Sequence, residues 1–209
     1  GELPTLELKS ALPRPQLQSF EGGLINFRLD EELTLQIKAF ARERGTTLYT
    51  VLLGAYAMLL SKWSGEEDII IGTPVAGRNH AGLEGLIGMF VNTVAIRSFP
   101  ESYRTVGDYL SELHEDVLRA LEHQNYPFED LVQKLGIDQD RSRNPLFDTM
   151  FILQNIDRVA YRSGGIEFDP KEFDPGVSKF DLTLEALEQD GRIDFALEYA
   201  TSLFREETV

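Results

Sequence analysis

The stretch LYTVLLGAYAMLLSKWSGEEDIIIGTPVAG, residues 48 to 77, constrains the fold of this chain more than any other. Its first half is apolar on most faces, which suits a helix buried in a core. Its second half opens with three consecutive isoleucines and ends in a Gly/Pro loop. An unbroken apolar run of that length suits a strand covered on both faces. A buried helix leading into a buried strand requires stacked layers, which predicts an α/β fold: a two-layer sandwich, a mixed sheet covered by helices. Polar punctuation and Lys62 make the helical half a core element and not a membrane span.

The flanking patterns agree. LINFRLD alternates apolar and polar residues and predicts a strand. Asp30 is placed to cap a following helix whose stripe is Leu33, Ile37 and Phe40, with Gly45 just past its end. Thr46 or Thr47 caps the buried helix. FVNTVAIRSF predicts another strand. A long amphipathic helix is expected from about Tyr103 to Gln124, with Val106, Tyr109, Leu110, Leu113, Val117, Leu118 and Leu121 facing inward. PFEDLVQKLG predicts a short helix with Pro127 at its first position. PLFDTMFILQN predicts a strand from Pro145 onward. KFDLTLEAL and RIDFALEYA alternate around EQDG, which predicts a hairpin. Residues 1–23, with ALPRPQ and EGG, read as an extended connector, and 24–209 as the folded unit. Gly164 to Ser178 reads as a long loop or protruding ribbon, a kind of segment that is often functional.

Composition narrows function. Thirty-five acidic residues against 20 basic ones give a net charge of −15, which argues against nucleic-acid binding. The absence of cysteine excludes disulfides, thiolate catalysis and cysteine metal sites. No long uninterrupted apolar span or cleavable signal appears, so the expectation is a cytoplasmic protein without a membrane. His80, His114 and His123 share no ligand spacing, so no metal is expected. No Gly-x-Ser-x-Gly elbow, Walker loop or dinucleotide fingerprint occurs, and GLEGLIG reads as a loop with tight backbone approaches.

Few residues remain as chemical candidates. His80 reads as an exposed loop residue and His114 as a solvated helix-face residue. His123, in LEHQNYPFEDLV, reads either as a helix-end residue favoured by the helix dipole or as a general base. Asn92 and Thr93 interrupt an apolar strand. Asn92 is either a hydrogen-bonded core amide or an amide lining a substrate channel. Arg78 follows a buried strand, where open α/β sheets tend to place sites. It either clamps an anion or holds the loop to the acidic surface.

Four segments then carry a family resemblance: TTLYTVLLGAYAMLLSKWSGEEDIIIGTPVAGRN, LEGLIGMFVNTVAIR, HQNYPFEDLV and SRNPLFDTMFILQN. In this order and spacing the chain resembles the C-terminal lobe of a nonribosomal peptide synthetase condensation domain. LPRP, SKFDLTL and LEYATSLF resemble flanking segments of that family. The resemblance implies one chloramphenicol-acetyltransferase-like lobe of a V-shaped pair. It implies an amide-forming acyltransferase that joins a donor acyl thioester to the amine of an acceptor aminoacyl thioester. Both substrates ride on phosphopantetheine arms of donor and acceptor carrier proteins, and the lobe itself binds no cofactor. The implied partners are the N-terminal lobe, both carriers and an adjacent adenylation domain.

The family's His-His-x-x-x-Asp-Gly signature has no match in this chain. The resemblance therefore implies an excised lobe with no catalytic residue, inactive alone. It places Asn92, Thr93 and Arg78 by the substrate tunnel, and Gly72, Thr73, Pro74, Gly88 and Phe90 in the floor beneath it. It places Phe168, Asp169, Pro170, Phe173, Pro175 and Ser178 in a latch crossing to the other lobe. The alternatives are a non-catalytic carrier-docking module, or a lobe of a coenzyme A-dependent acyltransferase or heterocyclization domain.

Overall fold

The computed structural model describes residues 3–10, 12–78, 80–83, 85–137, 140–154, 161–163, 165–168 and 174–209. Its central sheet is built from β1 (Gly22–Leu29), β2 (Ile69–Val75), β3 (Asn92–Ser98), β4 (Thr149–Gln154), β7 (Leu182–Gln189) and β8 (Arg192–Ala200). The strand order is β1-β8-β7-β4-β2-β3. β2 and β7 run parallel to β4, and the remaining pairs are antiparallel. The sheet is therefore mixed, as the alternation of helical and strand patterns predicts. A separate hairpin pairs β5 (Tyr161–Ser163) with β6 (Ile166–Phe168).

Among the described residues, four α-helices accompany the sheet: α1 (Glu31–Glu43), α2 (Leu48–Ser64), α3 (Val106–Glu122) and α4 (Phe128–Leu135). Their ends follow from local chemistry. The Leu33 N–H donates to the Asp30 carboxylate at the start of α1, and the Thr50 N–H donates to the Thr47 hydroxyl at the start of α2. Gly65 closes α2 at φ 88°, a left-handed conformation that costs glycine little.

Several expected boundaries move. α3 begins at Val106 and not near Tyr103, because the Thr105 side chain takes the capping hydrogen bond from the Asp108 N–H. Its packed stripe is Tyr109, Leu110, Leu113 and Val117, while Val106 and Leu118 are each 50% exposed. Leu118 lies about 100° around the helix from Val117, whereas Val106 shares the face of the stripe but is the first helical residue, at the exposed end of that face. On α1 the buried residues are Thr34 and Ala41, with Ile37 and Phe40 against the core. Leu33 turns outward. Pro127 caps α4 in an extended conformation and precedes its first helical residue. Residues 145–148 are not strand. Leu146 sits at φ 75° and the Phe147 N–H donates to the Pro145 carbonyl, so the chain turns before β4 begins.

The main core lies between the sheet and α2 and α3, with Leu53, Leu60, Ile71, Leu113, Phe151 and Ile193 among its most buried members. A smaller cluster of Ile70, Phe147 and Met150 lies on the opposite face, joined by Phe128 of α4. Leu6 and Leu8 are buried in the main core, and the Leu12 N–H donates to the Leu203 carbonyl. The first residues are extended as expected, yet they pack into the fold. Gly22 and Gly23, expected in the connector, open β1.

Candidate functional site

β2 carries three of the five residues expected in a floor, and its pairing with β3 sets Asn92 and Thr93 beside them. The register of the two strands pairs Gly72 with Ala95, Thr73 with Val94, Pro74 with Thr93 and Val75 with Asn92. Side chains alternate along a strand, so this register divides them between two faces. Ile71 and Val94 belong to the main core, which puts Thr73 and Asn92 on the helix-covered side. Ile70 and Ala95 belong to the smaller cluster, which puts Gly72, Pro74 and Thr93 on the opposite side. Thr73 is buried and its hydroxyl donates to the Phe151 carbonyl at 2.9 Å. Gly72 lies under Phe147: a Cβ there would stand 2.2 Å from the ring.

Asn92 uses its amide to hold the turn between α3 and α4. Its Nδ2 donates to the carbonyls of Gln124 and Tyr126, both at 2.8 Å, and its Oδ1 accepts from the Phe128 N–H at 3.3 Å. The amide joins one sheet edge to the HQNYPF turn. His123 caps α3 there through its backbone N–H, and its side chain is exposed.

Beyond β2 the chain loops back toward β3. Arg78 donates to the carbonyls of Leu83, Leu86 and Gly88, and its guanidinium lies 4.4 Å from the centroid of the Phe90 ring. Gly88 enters the site as a backbone carbonyl, and half-buried Phe90 as the surface on which Arg78 rests.

Of the latch residues, Phe168 ends β6, while Asp169, Pro170 and Phe173 lie outside the described residues. The return arm is anchored at the start of the sheet. Ser178 is 1% exposed, its N–H donates to the Phe20 carbonyl at 2.9 Å, and its hydroxyl donates to the Phe180 carbonyl at 2.7 Å. The Gly22 N–H donates to the Gly176 carbonyl, and a Cβ at Gly22 would meet the Val177 carbonyl carbon at 2.5 Å. Pro175 is exposed just before this crossing.

The other two histidines are engaged locally. His80 accepts from the Gly82 N–H through Nδ1. His114 is half-buried, with Nδ1 3.2 Å from the Thr50 hydroxyl, so it bridges α3 and α2 and is not the solvated residue expected.

One constellation escapes a sequence reading. Arg14 pairs with Asp181, and Arg143 pairs with Asp148 at 2.9 Å and with Glu7. Asp148 and Asp181 are buried just before β4 and β7. Burial, reinforced by the neighbouring Asp181 carboxylate, pushes the Asp148 carboxyl up to about 6. This cluster borders a cleft of about 1070 Å³ lined also by Phe128, Val132 and Phe147. The signal was the charged pair in SRNPLFD together with the arginine of LPRP. Their meeting depends on contacts between residues more than a hundred positions apart.

Comparison with known proteins places this arrangement in a class. The condensation-domain family matches residues 1–209. The chain is 50% identical over 209 residues to bacitracin synthase 3 of Bacillus licheniformis, covering all of this chain and 3% of that protein. It is 49% identical to tyrocidine synthase 3 of Brevibacillus parabrevis, with the same two coverages. A four-domain nonribosomal peptide synthetase solved with AMP and glycine superposes with TM-score 0.90 at 25% identity, over 99% of this chain and 17% of that one. The X-domain from teicoplanin biosynthesis shares the fold with TM-score 0.85 at 24% identity, over 97% of this chain and 48% of that one.

The mixed sheet and the ordered motifs thus fall within the condensation-domain class. The chain belongs to the condensation-domain family of nonribosomal peptide synthetases. It spans 3% of the length of each of the two curated relatives named.

Proposed function

We propose that this chain is the C-terminal lobe of a condensation domain that forms a peptide bond between two carrier-bound substrates. The observation that carries this reading is the match of the condensation-domain family to the whole chain. The fold of the X-domain, of which the chain covers 48%, supports its being half of a two-lobed unit. In the proposed reaction the acceptor amine nitrogen attacks the donor thioester carbonyl. A C–N bond forms, the C–S bond breaks, and the phosphopantetheine thiol leaves with a proton. Orientation of two tethered reactants supplies much of the acceleration in such a step.

The lobe's proposed part is shape. Gly72, Pro74 and Thr93 form a floor on the face away from α2 and α3. Asn92 acts as a positioning residue through the turn it holds. Gly176 to Ser178 root the latch. The proton-transfer group is proposed to lie in the N-terminal lobe, since the sequence contains no His-His-x-x-x-Asp-Gly and His80 and His114 are engaged in local contacts. The proposed partners are that lobe, the donor and acceptor carriers and an adenylation domain, in the cytoplasm.

The test mixes this chain with a loaded donor carrier and a loaded acceptor carrier and analyses dipeptide by mass spectrometry. No product is expected from the chain alone, and turnover is expected when the natural upstream lobe is fused to it. Dipeptide from the lobe alone overturns the assignment of chemistry to the other half. Absence of product from the fused pair overturns the condensation reading.

A further inference from the structure

Among the described residues, the loop between β2 and β3 contributes none to the hydrophobic core clusters, yet it has a defined interior. Its ends meet at Gly77 and Phe90. Gly77 sits at φ 64°, and a Cβ there would fall 1.8 Å from the Phe90 carbonyl oxygen. Immediately after this contact, the Arg78 guanidinium fills the loop. It donates to the Leu83, Leu86 and Gly88 carbonyls and stacks on the Phe90 ring. The carbonyls come from three points spread along the loop, and the ring comes from its far end. Only a planar group with several donors in a fork can meet all of them at once, and a lysine ammonium is a compact point charge without a stacking face.

The consequence shows on the outside of the loop. Leu86 is 52% exposed, Met89 93%, Val91 60%, and Ile87 projects fully into solvent. With three of its carbonyls held from within, the loop presents these apolar side chains outward without burying them in its own chain. We propose that Arg78 is a positioning residue. Its guanidinium fastens residues 80–83 and 85–90 into one preformed shape, and it acts on acyl transfer only through that loop. This inference rests on the reading of Gly88 and Phe90 as part of the tunnel floor. It replaces an anion clamp at Arg78 with an internal fastener whose ligands are the loop's own carbonyls.

The test uses the two-lobed domain in its full synthetase, with Arg78→Lys and Phe90→Leu. Lysine keeps the charge and loses the fork; leucine removes the stacking surface and keeps the hydrogen bonds. Backbone amide exchange at residues 81–90 is followed beside single-turnover dipeptide formation. Arg78→Lys is expected to speed exchange in the loop about tenfold or more, since local opening loses its fastener. It is expected to lower the rate at saturating carriers about tenfold to a hundredfold, with carrier KM little changed. Phe90→Leu is expected to do the same more weakly. Unchanged exchange in Arg78→Lys overturns the fastener. Normal behaviour of Arg78→Lys with a raised carrier KM in Arg78→Ala also overturns it, in favour of an anion contact. Faster exchange with wild-type turnover supports the fastener and instead sinks the floor reading on which its catalytic consequence rests.

Discussion

At Gly72 a hydrogen atom stands where any other residue would put a carbon 2.2 Å from the Phe147 ring. Phe147 is buried, stacked on Phe180 and tilted against Phe128, so it has little room to retreat. Gly72→Ala should therefore overpack the smaller cluster and destabilise the fold by about 1–3 kcal/mol, read from urea midpoints. A Gly72→Ala, Phe147→Leu double mutant should recover part of that loss. Additive losses would show that the two side chains do not compete for the same space. Asn92 poses the complementary question, because its amide satisfies two carbonyls and one N–H of the α3–α4 turn. Replacing it with Asp removes both donated bonds. A loss of about 1–2 kcal/mol is expected from the unpaired groups. In the two-lobed domain, turnover should fall further than the fraction folded, and a fall that merely tracks that fraction makes Asn92 a scaffold residue. Sequence singled out Asn92 because an amide interrupts an apolar strand. It gave no hint of the partners, since they lie in a turn more than thirty residues away.

Among the elements, the β7–β8 hairpin is the one whose sequence and geometry agree most closely. Two alternating runs flank EQDG, and the strands pair in register from Gln189 and Arg192 outward. The two residues between them, Asp190 and Gly191, both adopt positive φ, 52° and 75°. That is the demand of a two-residue turn matched to the twist of its strands. Gly191→Ala should cost about 1 kcal/mol through strain at that φ, whereas Asp190→Gly should be near neutral or stabilising. Equal chemical-denaturation midpoints for wild type and Gly191→Ala would refute the strain argument. The helices were legible for the same local reason: Asp30, Thr47 and Gly65 act on backbone within a few residues. Failures fell where packing decides. Leu33, Val106 and Leu118 satisfy helical periodicity, but the neighbouring elements set how wide a stripe is covered. Leu146 was invisible as a turn because nothing in its type asks for φ 75°.

For the whole molecule, the charged knot at the feet of β4 and β7 ties the first residues to the rest of the fold. Arg14 reaches Asp181, Arg143 reaches Glu7 and the Leu6 carbonyl, and both arginines share a buried neighbourhood with Asp148. Sequence assigns these residues to an extended connector and a strand, and their association is purely tertiary. The knot leaves a signature in pH dependence. Asp148 is held at about 6 in the fold, above its ordinary 3.8, chiefly because burial penalises the ionised form. A carboxyl raised on folding binds more protons in the native state, so stability falls as pH rises through that window. Glu198, also raised by burial, adds in the same direction. Asp140 and Glu67 are lowered by hydrogen bonds from Ser142 and Ser102. Their contributions are lost only at more acidic pH, as it falls through their depressed folded values. Between pH 7 and pH 5 the fold should therefore gain about 1 kcal/mol from Asp148, even though acidification usually weakens carboxylate pairs. Asp148→Asn keeps the shape, removes the titration and should flatten that slope. If its stability still rises by the same amount from pH 7 to pH 5, the titrating group lies elsewhere, and the buried Asp148 is already neutral or fully compensated by Arg143.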